Sequence, residues 1–256
     1  MPETDLDLLI SAAKEAGKIA SGYFKDDPQI WEKEGGAGPV TEADLAVDRM
    51  LRTELMASRP GYAWLSEETE DSPERLDAET VFIVDPIDGT RAFIEGSRTW
   101  SHSLAIARDG VVTAAVVYLP MRDKLYAADL GQGATLNGVS LQVSDTTLNG
   151  ATLLANKWNM NAEYWRGDVP PVERHFRSSI AYRMALIAEG KFDAMLTLRD
   201  SWEWDIAAGD LLIREAMGRV TDRHSAPLLF NNRHPQTKGV LAAGAQLHTA
   251  LADSLA

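Results

Sequence analysis

Apolar and polar residues recur along the chain with two periods, one typical of helices and one typical of strands. Between residues 5 and 24 the apolar positions return every three to four residues, which predicts an amphipathic helix. A second helix is predicted over 42–57, and between the two helices the glycines and Pro39 of residues 31–40 predict a flexible loop. The residues from Val81 to Val84 are consecutively apolar and mostly β-branched, a pattern typical of a strand buried on both faces. Helices and buried strands therefore share the first part of the chain.

The remaining apolar runs predict a mixed α/β (α+β) protein in two joined halves. Asn137 with Gly138 is a hairpin turn signal within a run of antiparallel strands. The stretch 157–172, rich in Trp, Asn and Pro, is predicted to be an irregular connection and to mark the boundary between two halves. The N-terminal half is 1–150 and the C-terminal half is 151–256, and we expect them to form one compact unit. The other predicted elements are strands at 103–107, 111–119, 123–128, 151–155, 192–198 and 239–243, helices at 178–189 and 205–217, and a short C-terminal helix.

The composition narrows the class of protein. The chain has 38 acidic and 25 basic residues, a formal net charge of −13, so we expect no binding to a nucleic-acid polymer or an acidic membrane. The N-terminus is acidic where a signal peptide would be basic, and no apolar run approaches the roughly 18 residues that span a bilayer, which predicts a soluble cytoplasmic protein. The absence of cysteine excludes disulfides, thiolate ligands and a cysteine nucleophile, so any metal must be bound by oxygen or histidine.

The segment VFIVDPIDGT, residues 81–90, places two carboxylates on a tight turn at the end of a strand. Pro86 fixes its own φ, and Gly89 can adopt a positive φ. Asp85 and Asp88 are therefore held close together, and two such anions need a cation, a shared proton or an arginine. A metal site is the first hypothesis for this turn.

Three further acidic elements allow either a structural or a chemical role. Thr41 and Asp44 open the second helix as a capping box variant, or Asp44 accepts a proton from a nucleophilic water. Glu67 and Glu68 form a solvated surface pair, or one of them binds metal while its neighbour points away. Asp205 is placed as the N-cap of the helix that follows it, or as a metal ligand.

Together these elements resemble the inositol monophosphatase superfamily of magnesium-dependent, lithium-sensitive phosphatases. Four motifs in the order of the family carry the resemblance: GPVTEAD at 38–44, SEE at 66–68, DPIDGT at 85–90 and WDIAAG at 204–209. Ser66 replaces the usual glycine of the second motif, which is expected to alter the turn and leave both glutamates intact. The resemblance implies a five-layered αβαβα sandwich, and it is compatible with a homodimer because many members are dimers.

The resemblance implies two Mg²⁺ ions and allows a third, weaker ion beside Glu67. Glu67, Asp85 and the Ile87 carbonyl would hold the first ion, and Glu67 also counts among the catalytic residues. Asp85, Asp88 and Asp205 would hold the second ion. Mg²⁺ prefers oxygen ligands of this kind, whereas zinc sites draw on histidine and thiolate.

The chemistry implied by the resemblance is attack by a metal-activated water on a small phosphate monoester, without a phosphoenzyme. Thr90 and Asp44 would orient the water. The backbone N–H groups of Gly89 and Thr90 would bind the phosphate if a helix begins there. Asp88 and Asp205 complete the expected substrate contacts, Asp205 through a substrate hydroxyl.

The expected substrate is adenosine 3′,5′-bisphosphate. The segment SWEWDIAAGDLLIREA, 201–216, is more similar to bacterial 3′(2′),5′-bisphosphate nucleotidases than to inositol phosphatases, and Trp202 or Trp204 can stack on an adenine. Inositol 1-phosphate, histidinol phosphate and fructose 1,6-bisphosphate are the alternatives. A second phosphate requires cationic partners, for which the candidates are Arg177, Arg183 and Arg199.

Three other classes share parts of the pattern. Haloacid-dehalogenase-type phosphatases also have an Asp-rich strand end followed by threonine, but their aspartates are two apart, whereas Asp85 and Asp88 are three apart. A Ca²⁺ loop would need a liganding glutamate at its twelfth position, which is missing here. A noncatalytic binding protein of the same fold stays open on pattern alone.

Overall fold

The computed structural model describes residues 3–26, 28–33, 35 and 38–256, and within these ranges it contains six α-helices and four sheets. The helices are α1 (Asp5–Tyr23), α2 (Glu42–Ser58), α3 (Thr90–Ile94), α4 (Ile180–Ala188), α5 (Glu203–Glu215) and α6 (Ala245–Ser254). The strands are β1 (Ile30–Glu32), β2 (Pro39–Thr41), β3 (Ala63–Ser66), β4 (Thr80–Asp88), β5 (Ser101–Arg108), β6 (Val111–Leu119), β7 (Lys124–Asp129), β8 (Gly133–Leu136), β9 (Val139–Ser140), β10 (Thr152–Ala155), β11 (Glu173–His175), β12 (Ala194–Thr197), β13 (Ser201–Trp202), β14 (Gly218–Thr221), β15 (Gln236–Thr237) and β16 (Val240–Gly244).

The larger sheet has seven strands in the order β3-β4-β5-β6-β7-β8-β9. All neighbours in it are antiparallel except β3 and β4, which run parallel. Asn137 and Gly138 connect β8 and β9, both with positive φ, so the predicted hairpin turn is confirmed. The central strands are joined by short connections because antiparallel neighbours need no crossover.

Strand β4 is buried along its whole length, as its apolar run predicts. Phe82 and Val84 pack into the core beneath α1 and α2, whereas Val81 and Ile83 pack into the core that includes α4 and α5. Successive side chains of a strand point to opposite faces, so this strand lies between two helical layers. The DPIDGT residues lie at its C-terminal end, next to the edge strand β3.

The second sheet has five strands in the order β11-β10-β12-β16-β14. One face shares a core with α4, α5 and the larger sheet, and the other face packs against α6. The layers are therefore α1 with α2, the seven-stranded sheet, α4 with α5, the five-stranded sheet, and α6. The expected five-layered αβαβα sandwich is confirmed.

Two predictions about local structure need correction. Helix α5 begins at Glu203, with Trp202 in the N-cap position, so Asp205 is the third helical residue and not the N-cap. The stretch 157–172 contains two short 3₁₀ turns and is not wholly irregular. Part of the predicted loop at 31–40 lies outside the described residues, namely 34 and 36–37.

Among the described residues, no helix combines the length and the apolar character that a membrane span requires.

Candidate active site

A β-bulge brings the two aspartates of the DPIDGT turn to the same side of β4. In a regular strand, side chains three residues apart lie on opposite faces. Here the pairing of β4 with β5 shifts by one residue between Asp85, opposite Ser103, and Asp88, opposite Ser101. The extra residue turns the Asp88 side chain to the side of the strand on which Asp85 lies, so that both carboxylates can belong to one cluster.

The backbone around this turn is held from two directions. The ring Nδ1 of the buried His102 is hydrogen-bonded to the Pro86 carbonyl. Gly89 has φ 97°, in the left-handed region that favours glycine, and α3 begins at the next residue. The predicted helix start after DPIDG is therefore present, and the first N–H groups of α3 have no acceptor within the helix.

Three carboxylates meet at the end of β4. One oxygen from each of Asp85, Asp88 and Asp205 lies within 4.8 Å of the other two. Burial raises the pKa of Asp85 well above its ordinary value, and the nearby charges of Glu67, Asp88 and Asp205 raise it further. Burial, with the charges of Asp88 and Glu67, likewise raises the pKa of Asp205. These anions repel one another unless a cation or protons join them.

Asp88 is anchored by the start of α4. Its Oδ2 accepts hydrogen bonds from the Ser179 hydroxyl and the Ala181 N–H, both at 2.6 Å. Burial raises the pKa of Asp88 to about 6, although these bonds lower it. The hydroxyl of Ser179 also caps α4 by accepting from the Tyr182 N–H. Ser179 fixes a metal-ligand candidate that lies 91 residues earlier.

The cluster fits a Mg²⁺ ion. All three of its members are carboxylates, and hard oxygen ligands are those that Mg²⁺ prefers. The Oδ1 atom of Asp85 is buried and has no hydrogen-bond partner among the described residues. A buried polar atom without a partner costs free energy, and a bound cation at this position would remove that cost.

Glu67 approaches the cluster from the end of β3. Its N–H donates to the Val84 carbonyl, which extends the pairing of β3 with β4. The Lys33 ammonium lies 2.7 Å from a carboxylate oxygen of Glu67 and 2.7 Å from one of Glu68. The prediction that one glutamate points away from the other was wrong, because both carboxylates reach the same ammonium.

These contacts change the ionisation of the groups involved. Burial lowers the pKa of Lys33, but the charges of Glu67 and Glu68 outweigh it and raise the pKa overall. Burial and the charge of Glu67 raise the pKa of Glu68 to about 7, although Lys33 opposes the rise.

Ser66, at the position of the family's glycine, donates to Asp48 and has no positive φ.

Asp44 caps α2, which is one of the two roles that the sequence left open, and it also contacts Thr90. Thr41 and Asp44 form a full capping box at the start of α2, with the Thr41 N–H donating to Asp44 Oδ2 at 2.9 Å. The other oxygen, Oδ1, accepts from the Thr90 hydroxyl at 3.1 Å. Burial raises the pKa of Asp44 to about 6, although the hydrogen bonds from Thr41 lower it. The capping box thus holds a basic carboxylate against Thr90.

The Ile87 carbonyl lies beside the same hydroxyl. Its oxygen is 3.1 Å from Thr90 Oγ1, while the Ile87 side chain is fully buried in the core under α1 and α2. The structure therefore brings together the backbone and side-chain oxygens that the sequence singled out at 44, 67, 85, 87, 88, 90 and 205.

Two adjoining cavities open onto these groups. The larger, of about 580 Å³, is lined by Asp88, Gly89, Thr90 and Asp205 among others, and by three arginines, Arg91, Arg183 and Arg199. The second, of about 420 Å³, shares Glu67, Arg199 and Asp205 with the first and adds Lys33, Trp202 and Trp204.

The remaining candidates are two tryptophans, which line the second cavity, and Arg177, which lines neither cavity. Trp202 and Trp204 stack face to face, with ring centroids 4.7 Å apart, so each covers one face of the other. Arg177 lies over the ring of Phe192 and lines neither cavity. Ser179 was not singled out as a site residue; a serine before an apolar helix signals an N-cap, but its bond to Asp88 depends on tertiary structure.

Comparison with known proteins identifies the family. Residues 1–256 match the inositol monophosphatase family over their whole length. The chain belongs to this family. Inositol monophosphatase family members are metal-dependent phosphatases that hydrolyse phosphate monoesters.

Relatives of this chain within the family carry more than one name. It is 35% identical over 229 residues to an inositol-1-monophosphatase of Rhizobium meliloti, covering 85% of each chain. It is 31% identical over 263 residues to the Nus factor SuhB of Escherichia coli K12, covering 98% of each. The IMPase of Thermotoga maritima has a similar structure, with a TM-score of 0.82 and 25% identity over 96% of this chain and 94% of that one.

Proposed function

We propose that this protein is a Mg²⁺-dependent phosphomonoesterase in which water, and not a side chain, is the nucleophile. The observation that carries the proposal is the convergence of three carboxylates, two of them buried and one with an unpartnered oxygen, beside the Asp44–Thr90 pair. A buried anionic cluster of this kind favours cations, and a polarised hydroxyl next to it favours an oriented water.

The proposed metal ligands divide into two overlapping sets. Glu67, Asp85 and the Ile87 carbonyl would hold one Mg²⁺, and Asp85, Asp88 and Asp205 would hold the other. A third ion beside Glu67 belongs to the same proposal. Bound Mg²⁺ supplies Lewis-acid stabilisation of the phosphate and lowers the pKa of a coordinated water. The raised pKa values of Asp85 and Asp205 support this arrangement, because burial and the neighbouring carboxylate charges raise them and a cation would offset those charges.

Asp44 and Thr90 are proposed to orient the nucleophilic water and to accept its proton. The Thr90 hydroxyl donates to Asp44 Oδ1, which leaves the lone pairs of Thr90 Oγ1 free to accept from a water. A carboxylate whose pKa is about 6 is suited to proton transfer near neutral pH. The capping box fixes the carboxylate so that it needs no reorganisation during the reaction.

The remaining site residues are proposed to hold the substrate. Gly89 and Thr90, at the turn into α3, line the cavity that Asp88 and Asp205 also line, and their N–H groups would donate to the phosphate. Asp88 contacts the phosphate through the metal site. Asp205 lines both cavities and would accept from a hydroxyl of the leaving group.

Two substrates have support. Relatives named inositol-1-monophosphatase support inositol 1-phosphate, which has at least as much support as the nucleotide expected from the 201–216 segment. A cavity lined by Arg183 and Arg199 supports adenosine 3′,5′-bisphosphate, whose second phosphate needs cationic partners. A panel of kcat/KM values on these two esters, histidinol phosphate and fructose 1,6-bisphosphate decides between them.

The proposal includes a homodimer that acts on small phosphorylated molecules in the cytoplasm. Its support is the family membership, together with the net charge of −13, which disfavours nucleic-acid and acidic-membrane partners. Sedimentation velocity at micromolar concentration measures the assembly, and a purely monomeric species would remove the dimer from the proposal.

The substitution Asp88→Asn tests the metal assignment. Asparagine keeps an oxygen that can accept from Ser179 and Ala181, so we expect the fold to survive, whereas the lost charge weakens cation binding. We expect Mg²⁺-dependent phosphatase activity to fall by about 100-fold or more. Normal turnover by the folded variant would contradict the assignment.

The stereochemistry at phosphorus tests the nucleophile, with a phosphorothioate ester made chiral by ¹⁷O and ¹⁸O and hydrolysed in ordinary water. Direct attack by water is a single displacement and inverts the configuration at phosphorus. Retention from two displacements, together with a trapped aspartyl-phosphate, would instead support a haloacid-dehalogenase-type reaction.

A further inference from the structure

Helix α5 carries Asp205 in its first turn and has a tryptophan at its N-cap. An indole has no oxygen, so Trp202 cannot accept a hydrogen bond from the first N–H groups of the helix as a serine or aspartate would. The Glu203 N–H donates instead to the Pro235 carbonyl, at 2.9 Å. Contacts with a distant part of the chain therefore fix where α5 begins and where Asp205 lies.

Glu203, the first residue of α5, is a fully buried carboxylate that has no part in the proposed chemistry. Its Oε1 accepts hydrogen bonds from the N–H and the side-chain amide of Asn232, at 2.9 and 2.7 Å, and its Oε2 accepts from the Asn231 N–H at 2.7 Å. No salt bridge within the described ranges includes Glu203. A buried glutamate needs partners for its charge, and these three hydrogen bonds supply them. The start of α5 is thus bound to the turn at 231–232.

Arg75 extends these contacts to the segment that follows Glu67. Its side chain is 2% exposed and binds the Asp71 carboxylate through Nε and Nη2, at 2.6 and 2.9 Å. Its Nη1 donates to the Asn231 side chain at 2.7 Å, and its Nη2 donates to the Asn232 carbonyl at 2.9 Å. The Arg75 carbonyl accepts from the Asn231 amide at 2.9 Å. Because Asp71 stands shortly after Glu67 in the chain, one network joins that segment to the start of α5.

The first turn of α5 is also held by the larger sheet. The Ser103 hydroxyl of β5 donates to the Trp204 carbonyl at 2.8 Å. Ser103 is the residue of β5 that pairs with Asp85 of β4. The two residues before Asp205 are therefore held by different parts of the chain, Trp204 by the strand beside Asp85 and Glu203 by the turn at 231–232.

We propose that Glu203 and Arg75 are positioning residues for the metal site, a role that rests on the proposed phosphatase function. Neither residue lines the two cavities of the site. They would act through Glu67 and Asp205, which are proposed ligands of different Mg²⁺ ions. The Glu203–Arg75 network consists of Glu203, Asn231, Asn232, Arg75 and Asp71.

Electrostatic repulsion is the reason that these ligands need such support. Before a cation binds, the carboxylates of Asp85, Asp88 and Asp205 repel one another, which favours displacement of the start of α5 away from β4. The Glu203–Arg75 network opposes this displacement, because it would break hydrogen bonds to buried charged groups. A site whose ligands are already in place binds its ion more tightly, since binding then requires less reorganisation.

Mg²⁺ titrations of chelator-treated protein test this role. Glu203→Gln replaces one acceptor oxygen with an amide that faces N–H donors, and Arg75→Met removes the guanidinium but keeps much of the side-chain volume. We expect each substitution to raise the Kd for Mg²⁺, measured by isothermal titration calorimetry, by about tenfold or more, as for other residues that orient metal ligands. Arg75→Lys keeps the charge but not the planar fork and should retain part of the affinity. At saturating Mg²⁺, kcat should approach the wild-type value, because no reacting group is altered.

Glu189→Gln is the matched control. Glu189 is a carboxylate at the C-terminal end of α4, where it accepts hydrogen bonds from Lys124 and the Tyr126 hydroxyl, and it lines neither cavity. A purely structural role for Glu203 would lower Tm in both variants and leave both Kd values unchanged. If Glu203→Gln does not fold, Asn232→Ala carries the test, since it removes one hydrogen bond to Glu203 from an exposed residue.

Each outcome decides the proposal. Weaker Mg²⁺ binding by the network variants, with a normal Kd in Glu189→Gln, supports the positioning role. An unchanged Kd in the folded network variants, an equal loss of affinity in Glu189→Gln, or a kcat that stays low at saturating Mg²⁺ overturns the positioning role and leaves the phosphatase function standing. If the wild-type protein neither binds Mg²⁺ nor hydrolyses a phosphate monoester, both are overturned.

Discussion

At the residue scale, the site depends on single oxygen atoms whose partners come from distant parts of the chain. The Thr90 hydroxyl lies between the Asp44 carboxylate and the Ile87 carbonyl, 3.1 Å from an oxygen of each. A hydroxyl has one proton to donate and two lone pairs to accept, so its donor is shared between these two acceptors. Removing it would leave the buried Asp44 oxygen without that donor.

We expect Thr90→Val to lower kcat by about 100-fold or more and to leave the fold intact, because valine has nearly the shape of threonine but no hydroxyl. Thr90→Ser keeps the hydroxyl and should retain most of the activity. Steady-state kinetics at saturating Mg²⁺, with melting curves as the fold check, measure both. Similar kcat values for the valine and serine variants would contradict the proposed role of the hydroxyl.

The sequence predicted these residues because each stands in a recognisable local pattern. Asp85 and Asp88 follow a buried strand, and Thr41 with Asp44 opens a helix after a proline. It did not predict that Ser179 would hold Asp88, or that Lys33 would contact both glutamates, because those contacts join residues 91 and 34 positions apart in the chain. Local periodicity carries no information about such pairs.

At the element scale, α4 and α5 form the layer between the two sheets and need to approach closely. A Cβ placed on Gly209 of α5 would lie 2.5 Å from the Met184 Cβ and 2.6 Å from its sulfur. The Met184 Cβ is fixed to the backbone of α4 and cannot move aside. The glycine therefore sets the separation of the two helices that carry Asp205 and the cap around Asp88.

We expect Gly209→Ala to lower the free energy of unfolding by about 1–3 kcal/mol, because the added methyl overpacks the helix contact. Gly22→Ala is the matched control: Gly22 lies in α1, and a Cβ there would meet nothing within 4 Å. Its substitution should raise the free energy of unfolding by up to about 1 kcal/mol, because alanine has a higher helix propensity than glycine. Urea denaturation measures both, and a neutral Gly209→Ala variant would show that the layer can adapt.

The contact between α6 and β14 contains a titratable group away from the active site. His248 of α6 is 1% exposed, and its Nε2 lies 3.0 Å from the Thr221 hydroxyl of β14. Burial, with the charge of Arg219, lowers the pKa of His248 to about 4 from the ordinary 6.5. The folded protein therefore binds fewer protons at this residue than the unfolded chain does between these two values.

We expect the contribution of His248 to the free energy of unfolding to fall as the pH falls from about 6.5 to about 4, by an amount on the order of 3 kcal/mol. Subtracting the profile of His248→Gln from that of the wild type isolates this term, because glutamine does not titrate. His224→Gln, at an exposed histidine, serves as the control. If the difference in the free energy of unfolding between the wild type and His248→Gln does not depend on pH, a buried neutral imidazole at His248 is excluded.

At the scale of the whole molecule, cation binding should stabilise the fold. The cluster carboxylates repel one another within a protein of net charge −13, and they come from both halves of the chain. A ligand that binds only the folded state adds about 2.7 kcal/mol to the free energy of unfolding when its concentration is 100 times its Kd. For a protein of this length that corresponds to a rise in Tm of about 5–10 °C.

We expect Mg²⁺ added to chelator-treated protein to raise Tm by about 5–10 °C, and we expect the Asp85→Asn substitution to remove most of this rise. Differential scanning calorimetry measures both. The potassium salt of the same anion at equal ionic strength is the control for screening. An unchanged Tm at millimolar Mg²⁺ would contradict the metal site independently of any activity assay.

The same calorimetric scan bears on the division of the chain at residue 150. We propose that residues 1–150 and 151–256 unfold as one unit, because α4 and α5 from the second range share a core with the sheet from the first. A single transition with equal calorimetric and van't Hoff enthalpies is the expected result. Two separated transitions would show that the halves are independent.

The sequence by itself determined the elements and the residue types of the site, because strand burial, helix caps and a Pro-Gly turn are properties of neighbouring residues. Tertiary structure decided what those residues meet. The one-residue shift between β4 and β5 turned Asp88 to the side of Asp85, and the packing of α5 on α4 brought Asp205 to them across more than a hundred residues. It also placed Arg183 and Arg199 at one cavity, since the direction of a charged side chain depends on packing and not on its neighbours in the chain.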